Sequence, residues 1–430
     1  MRRFYQIPGK GQQVIPYRTL KLSLFVDDQL LVPFLGAGAS FSEASRTEVP
    51  PLNEPDQATI DSILTPLRLS DTARDFLAAA VRVAYQIQQV QAASPQEDPF
   101  EAVRRNKWPP SAVELAAALA HVADFDCFAS PAEWLGSHLP GGGSTELKEV
   151  LRRAAAVTGL ASPAPSLLSV ASYYSYAFGA ENLWLRLKTL FENKGEPPRV
   201  HRMVACVAWY YLSRQRPKDY LIITTNYDRL VELALKKANV PYCVLVVDKD
   251  KERVEATFSD GFQEYLKRND EDFKEFREGI QKHPTNCYPG SHPPIVIVYK
   301  IHGCLYPPRN DCRSVILTDD DYVEYMRKNG LGNSQIPVWV KLLIERKGFL
   351  FMGYSFSDWN VRGWYTSLVG DPNMRTKHLQ DYAVMKDLSP YEDHFFDEKD
   401  IDILHADLTS FGNSIMSEAP TEAKTCGAWQ

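Results

Sequence analysis

Four short stretches carry side chains able to do chemistry, and each follows an apolar run. The first, Gly36-Ala37-Gly38-Ala39-Ser40, comes directly after Leu30-Leu31-Val32-Pro33-Phe34-Leu35. A glycine turn at a strand end brings backbone amides close to a pyrophosphate, and a helix start beyond it favours negative charge. The third glycine of the dinucleotide fingerprint is missing, so by itself the triplet also fits a plain tight turn. The second, Thr224-Thr225-Asn226-Tyr227-Asp228, ends the β-rich run that begins at Tyr220. Asn226 and Asp228 offer an acceptor, a donor and a charge at alternate positions, which suits ribose hydroxyls or a held water. They equally suit a turn capping a helix at Leu230-Val231-Glu232.

The third stretch, Lys300-Ile301-His302-Gly303, closes the run from Val296 to Ile301. With an ordinary pKa of about 6.5, His302 is the candidate general base, and a hydrogen-bonded core histidine is its other reading. The fourth, Gly353-Tyr354-Ser355-Phe356-Ser357-Asp358, again delivers a glycine and hydroxyls to a strand end. It differs by one residue from the Gly-x-Ser-x-Gly nucleophile elbow, and Asp381 and His394 follow in the order of α/β hydrolases. The absent second glycine argues against that elbow, whose strained turn needs small neighbours. His302, Cys304 and Cys312 lack an evident fourth ligand for zinc, and their spacing is irregular.

The elements that must position these residues are legible as a pattern. Continuous apolar runs at 30–35, 220–225, 242–247, 294–301, 348–353 and 381–385 read as strands buried on both faces. Strands alternating with helical patterns predict a doubly wound, Rossmann-like α/β fold with a parallel sheet. Between Asp56 and Arg199 the period becomes helical, with Phe76, Ala80, Val83, Ile87 and Val90 on one face. Ser111 with Glu114, and Ser130 with Glu133, form capping boxes there, and Pro140-Gly141-Gly142-Gly143-Ser144 breaks the block. The expected organisation is a catalytic domain of residues 1–55 and 200–416, a large helical insertion at 56–199, and a loose tail at 417–430. Asp248 to His283, rich in both charge signs, reads as a solvated helical excursion.

Composition excludes several classes. The chain of 430 residues is 44% hydrophobic and 24% charged, close to the average for globular proteins. No run reaches the roughly eighteen apolar residues of a membrane span, and no apolar signal core follows Met1, so a cytoplasmic location is expected. Seven cysteines without a Cys-x-x-Cys pair predict neither a disulfide framework nor a zinc ribbon. A net charge of −6 gives no electrostatic footprint for nucleic acid, so none is expected to bind directly.

Taken in order, the four stretches resemble the sirtuin-like family of bacterial antiphage defence proteins, with His201 and Leu317-Thr318-Asp319-Asp320-Asp321-Tyr322 as further, structural echoes. The resemblance covers residues 30–45 and 200–410. It implies that Gly36, Ala37, Gly38, Ser40, Thr225, Gly353 and Ser355 bind NAD⁺. It also implies that Asn226 and Asp228 address the nicotinamide ribose and its water, and that His302 is the catalytic base. Protein-deacylating sirtuins carry a four-cysteine zinc module, a peptide-side motif after the glycine loop, and Thr-Gln-Asn in the second stretch. Here the loop continues Phe41-Ser42-Glu43-Ala44-Ser45-Arg46, Thr225 replaces the glutamine, and Trp359 stands where relatives often have proline.

The resemblance therefore implies an NAD⁺ glycohydrolase releasing nicotinamide and ADP-ribose, with no zinc, acting as a triggered NAD-depleting effector in abortive infection. A non-catalytic NAD or ADP-ribose binding subunit is the alternative, followed by a serine hydrolase built on Ser355. A toxic activity needs a trigger. The implied partners are further copies of the chain, a HerA-like ATPase, an Argonaute-type protein or a phage component.

Overall fold

In a computed structural model the chain is described at residues 4–6, 15–25, 31–40, 115–116, 119, 167–191, 196–214, 219–248, 253–260, 294–306, 315–330, 340, 343–344, 347–354, 362, 365, 380–386 and 390–429. The strands are β1 (Phe4–Gln6), β2 (Leu31–Leu35), β3 (Tyr220–Thr224), β4 (Tyr242–Asp248), β5 (Arg253–Phe258), β6 (Val296–Lys300), β7 (Gly348–Met352), β8 (Asp381–Met385) and β9 (Ile401–His405). They form one sheet in the order β1-β9-β8-β7-β2-β3-β6-β4-β5. Neighbours run parallel except at the β4–β5 hairpin. This is the doubly wound, Rossmann-like α/β sheet that the apolar runs predict, because strands buried on both faces can only be covered by helical crossovers.

From β2 the chain passes to β3, out to β4 and β5, back to β6 between β3 and β4, and then lays β7, β8 and β9 on the other side of β2. The order therefore reverses at the β2–β7 boundary. At such a switch point the connections diverge and leave a crevice outside the carboxyl ends of the strands.

One face of the sheet is covered by α1 (Ile15–Leu24), the helix Arg199–Leu212, the helix Leu230–Lys237 and the carboxyl-terminal helices Leu408–Ser417 and Thr421–Lys424. Leu350, Met352, Tyr382 and Val384 meet Val204, Val207, Phe411 and Ile415 in that core. On the opposite face Phe34 lies 5.3 Å from Phe351 and 4.7 Å from Tyr354, ring centre to ring centre. Phe351 in turn meets Tyr365 at 5.6 Å.

The described chain divides into two compact units: Met1–Ala44, Glu196–Ile316 and Tyr322–Gln430 hold the sheet, and Ser45–Gly195 with Leu317–Asp321 form the other. In the second, helices Leu167–Phe178 and Ala180–Phe191 are separated at Gly179, which has φ +89. The helical face at 76–90, both capping boxes and the glycine break at 140–144 lie outside the described residues.

Two expectations are corrected. The first part of the Asp248–His283 stretch is not helical but forms β5, paired with β4 from Cys243↔Phe258 to Asp248↔Arg253. Val254, Ala256 and Phe258 alternate with Arg253, Glu255 and Thr257, a period of two that the charges obscure. The carboxyl-terminal residues are not a loose tail either: Ala423, Cys426 and Ala428 are buried in the core against the helix Arg199–Leu212, and the Arg199 guanidinium lies 5.1 Å from the Trp429 ring.

Candidate functional site

Strand register gathers the site. Leu35 pairs with Thr224 on one side and Met352 on the other, and Thr224 pairs with Lys300. Gly36, Thr225 and Gly353 therefore stand one residue past paired positions. Asn226 and His302 each stand two past the Thr224↔Lys300 pair. Adjacent parallel strands are about 4.8 Å apart, so these residues converge at one end of the sheet beside the switch point.

Asn226 is the best-defined of them. Its amide nitrogen donates to the Gly36 carbonyl at 3.0 Å and to the Ser40 hydroxyl at 2.8 Å. Because Gly36 O can only accept, the orientation of the amide is fixed by its neighbours. The other end, Oδ1, is buried and has no hydrogen-bond partner among the described residues. The backbone beneath is tied by Thr224, whose hydroxyl donates to Leu35 O at 2.8 Å and accepts from Asn226 N at 3.0 Å.

Asp228 is committed to the protein. One carboxylate oxygen accepts from Ser40 Oγ at 2.5 Å and the other from Leu230 N at 2.9 Å, at the start of the helix Leu230–Lys237. Ser40 in turn bridges Asn226 and Asp228, its hydroxyl donating to the carboxylate and accepting from the amide. Both residues belong to the site, as positioning groups in this geometry.

Beneath them lies Lys300, only 1% exposed. Its ammonium forms a 3.0 Å ion pair with buried Glu232 and donates to the Asp228 carbonyl. Burial opposes the lysine charge, but Glu232 and Asp228 more than offset it and the pKa is raised. His201, from the helix Arg199–Leu212, is buried nearby with neither ring nitrogen partnered among the described residues. Burial lowers its pKa to about 4.

His302 follows β6, and Gly303 behind it takes φ +85, a left-handed turn that glycine accepts freely. The His302 carbonyl accepts from Ile316 N at 3.0 Å, and Gly303 bridges Val315. The imidazole is 6% exposed, with Nδ1 3.3 Å from the Tyr322 hydroxyl. Burial lowers its pKa to about 3, so it is neutral over the physiological range. The ordinary value near 6.5 does not apply here. A neutral imidazole still accepts a proton, although with less driving force than one poised near 7.

The glycine loop is a backbone-to-backbone contact. Gly36 N donates to Met352 O and Gly38 N to Gly353 O, each at 2.9 Å, while Ala39 N and Ser40 N close a short 3₁₀ turn. A Cβ on Gly36 would lie 2.5 Å from Gly353 O, and one on Gly353, at φ +74, would strike Ala39 N. Close approach of β2 and β7 thus dictates these glycines. The loop offers a ligand its exposed tip, Ala37 and Gly38, and not an array of free amides. Thr225 accepts from the Tyr354 hydroxyl at 2.9 Å. Ser355 lies outside the described residues, as do Phe356 to Trp359.

Of the residues in the hydrolase order, Asp381 and His394 are described and Ser355 is not. Asp381 opens β8, at the amino end of the sheet, one strand length of about 17 Å from the end at which Gly353 follows β7. Its carboxylate accepts from Phe349 N at 2.7 Å and from Tyr365 OH at 2.6 Å, and His394 is exposed on the helix Pro390–Glu398. Among the described residues no group of three His, Cys, Asp or Glu could hold a metal ion, and no helix is long and apolar enough to cross a membrane.

Sequence reasoning missed Glu232 and Tyr322 as site partners and gave Lys300 no role. A lysine closing an otherwise apolar strand run was the available signal, since such a residue is seldom buried without a counter-charge. Compared with known families, residues 220–404, from the start of β3 into β9, match the family model described as SIR2-like domain. No curated protein matches the chain.

Proposed function

We propose that this chain, whose residues 220–404 match the family model described as SIR2-like domain, is an NAD⁺ glycohydrolase, splitting the nicotinamide–ribose bond with water to give nicotinamide, ADP-ribose and a proton. One observation carries this reading: Asn226 is clamped through its nitrogen by Gly36 and Ser40, while its buried oxygen is left unpartnered among the described residues. An unused acceptor fixed in place at the switch-point crevice suits a water or ribose hydroxyl whose proton must point one way.

Cleavage develops positive charge on the ribose. The catalytic task is to hold the ring in a reactive pose and to direct one nucleophile at it. In this reading Asn226 Oδ1 orients that nucleophile and neutral His302 receives its proton. Asp228 and Ser40 hold Asn226 in place, and Gly36, Ala37, Gly38, Thr225 and Gly353 shape the walls with Ser355. The balance favours hydrolysis over peptide deacylation because the chain has neither the zinc module nor the peptide-side motif of deacylating relatives.

Incubation of the purified protein with NAD⁺, alone and with the products of neighbouring genes, tests the reading through free nicotinamide. Release by the wild type and its loss in Asn226→Ala and His302→Ala are expected. NAD⁺ or ADP-ribose binding without any turnover would favour the non-catalytic subunit instead. A role as a triggered effector of antiphage defence, working with further copies, a HerA-like ATPase, an Argonaute-type protein or a phage component, belongs to the same proposal. Activity per chain that rises with protein concentration or with an added partner would support it.

A further inference from the structure

Since burial holds His302 neutral, what remains to be set at neutral pH is which ring nitrogen carries the proton. In a neutral imidazole one nitrogen donates and the other accepts, and the bond made by one fixes the role of the other. Here Nδ1 faces the Tyr322 hydroxyl at 3.3 Å. The Tyr322 ring meets the imidazole edge-on at 5.3 Å and Tyr325 at 6.3 Å, both with interplanar angles of 83°. Both tyrosines are 5% exposed, so two buried rings flank the imidazole on this side.

The helix Asp319–Gly330 supplies both rings, which are three residues apart and therefore share a face. Its start is fixed by reciprocal capping. Thr318 Oγ1 accepts from Asp321 N at 3.2 Å, and the Asp321 carboxylate accepts from Leu317 N at 3.1 Å and Thr318 N at 3.0 Å.

We propose that Tyr322 is a positioning residue that holds His302 as the Nδ1–H tautomer, its phenol oxygen accepting that proton, so that the Nε2 lone pair faces the reacting hydroxyl or water. The inference rests on His302 being the base of the proposed reaction, but the tautomer is a property of the unliganded protein. During turnover Nε2 takes one proton from the nucleophile as its oxygen bonds to the ribose carbon and the nicotinamide bond breaks. The resulting imidazolium keeps its Nδ1–H bond to Tyr322, a charge-assisted contact in a place where burial opposes charge. The proton returns to solvent with product release. Donation in the other sense, from Tyr322 to Nδ1, would leave Nε2 protonated and unable to act.

Protein labelled with ¹⁵N-histidine separates these cases by NMR at pH 7, where the two nitrogens of each tautomer differ in shift, with the His302 signal among the nine histidines assigned by its loss in His302→Gln. The expected wild-type pattern is Nδ1–H, and Tyr322→Phe should turn it into a mixture. The same variant should lower kcat roughly ten- to a hundredfold, since displaced tautomers and lost orienting partners cost at least that much elsewhere. KM should stay within about twofold, because ground-state binding is untouched. An Nε2–H pattern in the wild type, or a tautomer unchanged in Tyr322→Phe, overturns the assignment even if the variant melts early. Should the wild type release no nicotinamide, the functional reading fails, while the spectra still decide the role of Tyr322.

Discussion

The two ends of the sheet use buried polar groups differently. At the amino end, Asp219 precedes β3 and accepts from Ile295 N at 3.1 Å, beside the start of β6. Asp381 opens β8 and accepts from Phe349 N, beside the start of β7. In both cases a carboxylate at one strand's start satisfies an amide at its neighbour's start, and Asp381 uses its second oxygen on Tyr365. At the carboxyl end, Ser40, Asn226, Asp228, Lys300 and Glu232 are just as buried, yet Asn226 Oδ1 and Glu232 Oε2 have no partner among the described residues. An unpaired buried acceptor costs about 1–3 kcal/mol, so two of them clustered at the carboxyl end, the open end in this sense, support the proposed site there.

The largest effect should come from the ion pair under the open end. Lys300→Met leaves Glu232 buried without its counter-charge and frees the Asp228 carbonyl, which should cost about 3–5 kcal/mol of stability. Replacing both partners, as Lys300→Met with Glu232→Leu, should recover most of that in denaturant melts, because the penalty comes from the orphaned charge. A single variant as stable as the wild type would mean that the pair is not the tie it resembles.

Next comes the contrast between the ends themselves. Asn226→Ala should lower NAD⁺ cleavage on the order of 10²–10³-fold, the scale of losing one oriented polar group at a reacting centre. Its melting temperature should move by only a few degrees. Asp381→Ala should do the reverse, stripping two donors of their acceptor at a cost of roughly 2–3 kcal/mol while turnover per folded molecule persists. If Asp381→Ala abolishes turnover at temperatures where it remains folded, the division between a structural and a functional end is wrong.

Much of this contrast was legible in the sequence, for definite reasons. Strands buried on both faces write themselves as apolar runs, so β2, β3, β4, β6, β7 and β8 stood out, and the residues just past each run were natural site candidates. Other elements were hidden: β5 carries charges at alternate positions, β9 contains Asp402 and ends at His405, and β1 is three residues long. The helix Thr421–Lys424 is too short for any periodicity, and its burial depends on Arg199–Leu212, far away in sequence. Roles within the site depend on tertiary partners in the same way. What Asp228, Ser40 and His302 each touch is set by contacts that no local pattern encodes.

The smallest effect discriminates between two buried histidines and the rest of the fold through pH. His302 and His201 are both held neutral by burial, with pKa values lowered to about 3 and about 4 from an ordinary 6.5. In the unfolded chain each binds a proton below about 6.5, whereas in the fold neither does until near its own lowered value. Stability contributed by this difference is fully present above pH 6.5 and is lost as the pH falls toward 4 and then 3. Each group should contribute a slope of about 1.4 kcal/mol per pH unit in that window. His201→Leu removes one titration and replaces two unpartnered ring nitrogens with an apolar side chain of similar size. It should therefore leave stability at pH 7 unchanged or improved and make the acid slope shallower by about 1.4 kcal/mol per unit between pH 4.5 and 6. Urea melts at closely spaced pH values measure this directly. A His201→Leu slope identical to the wild type would show that His201 is protonated in the fold, and that the open end of the sheet meets water on its inner side as well.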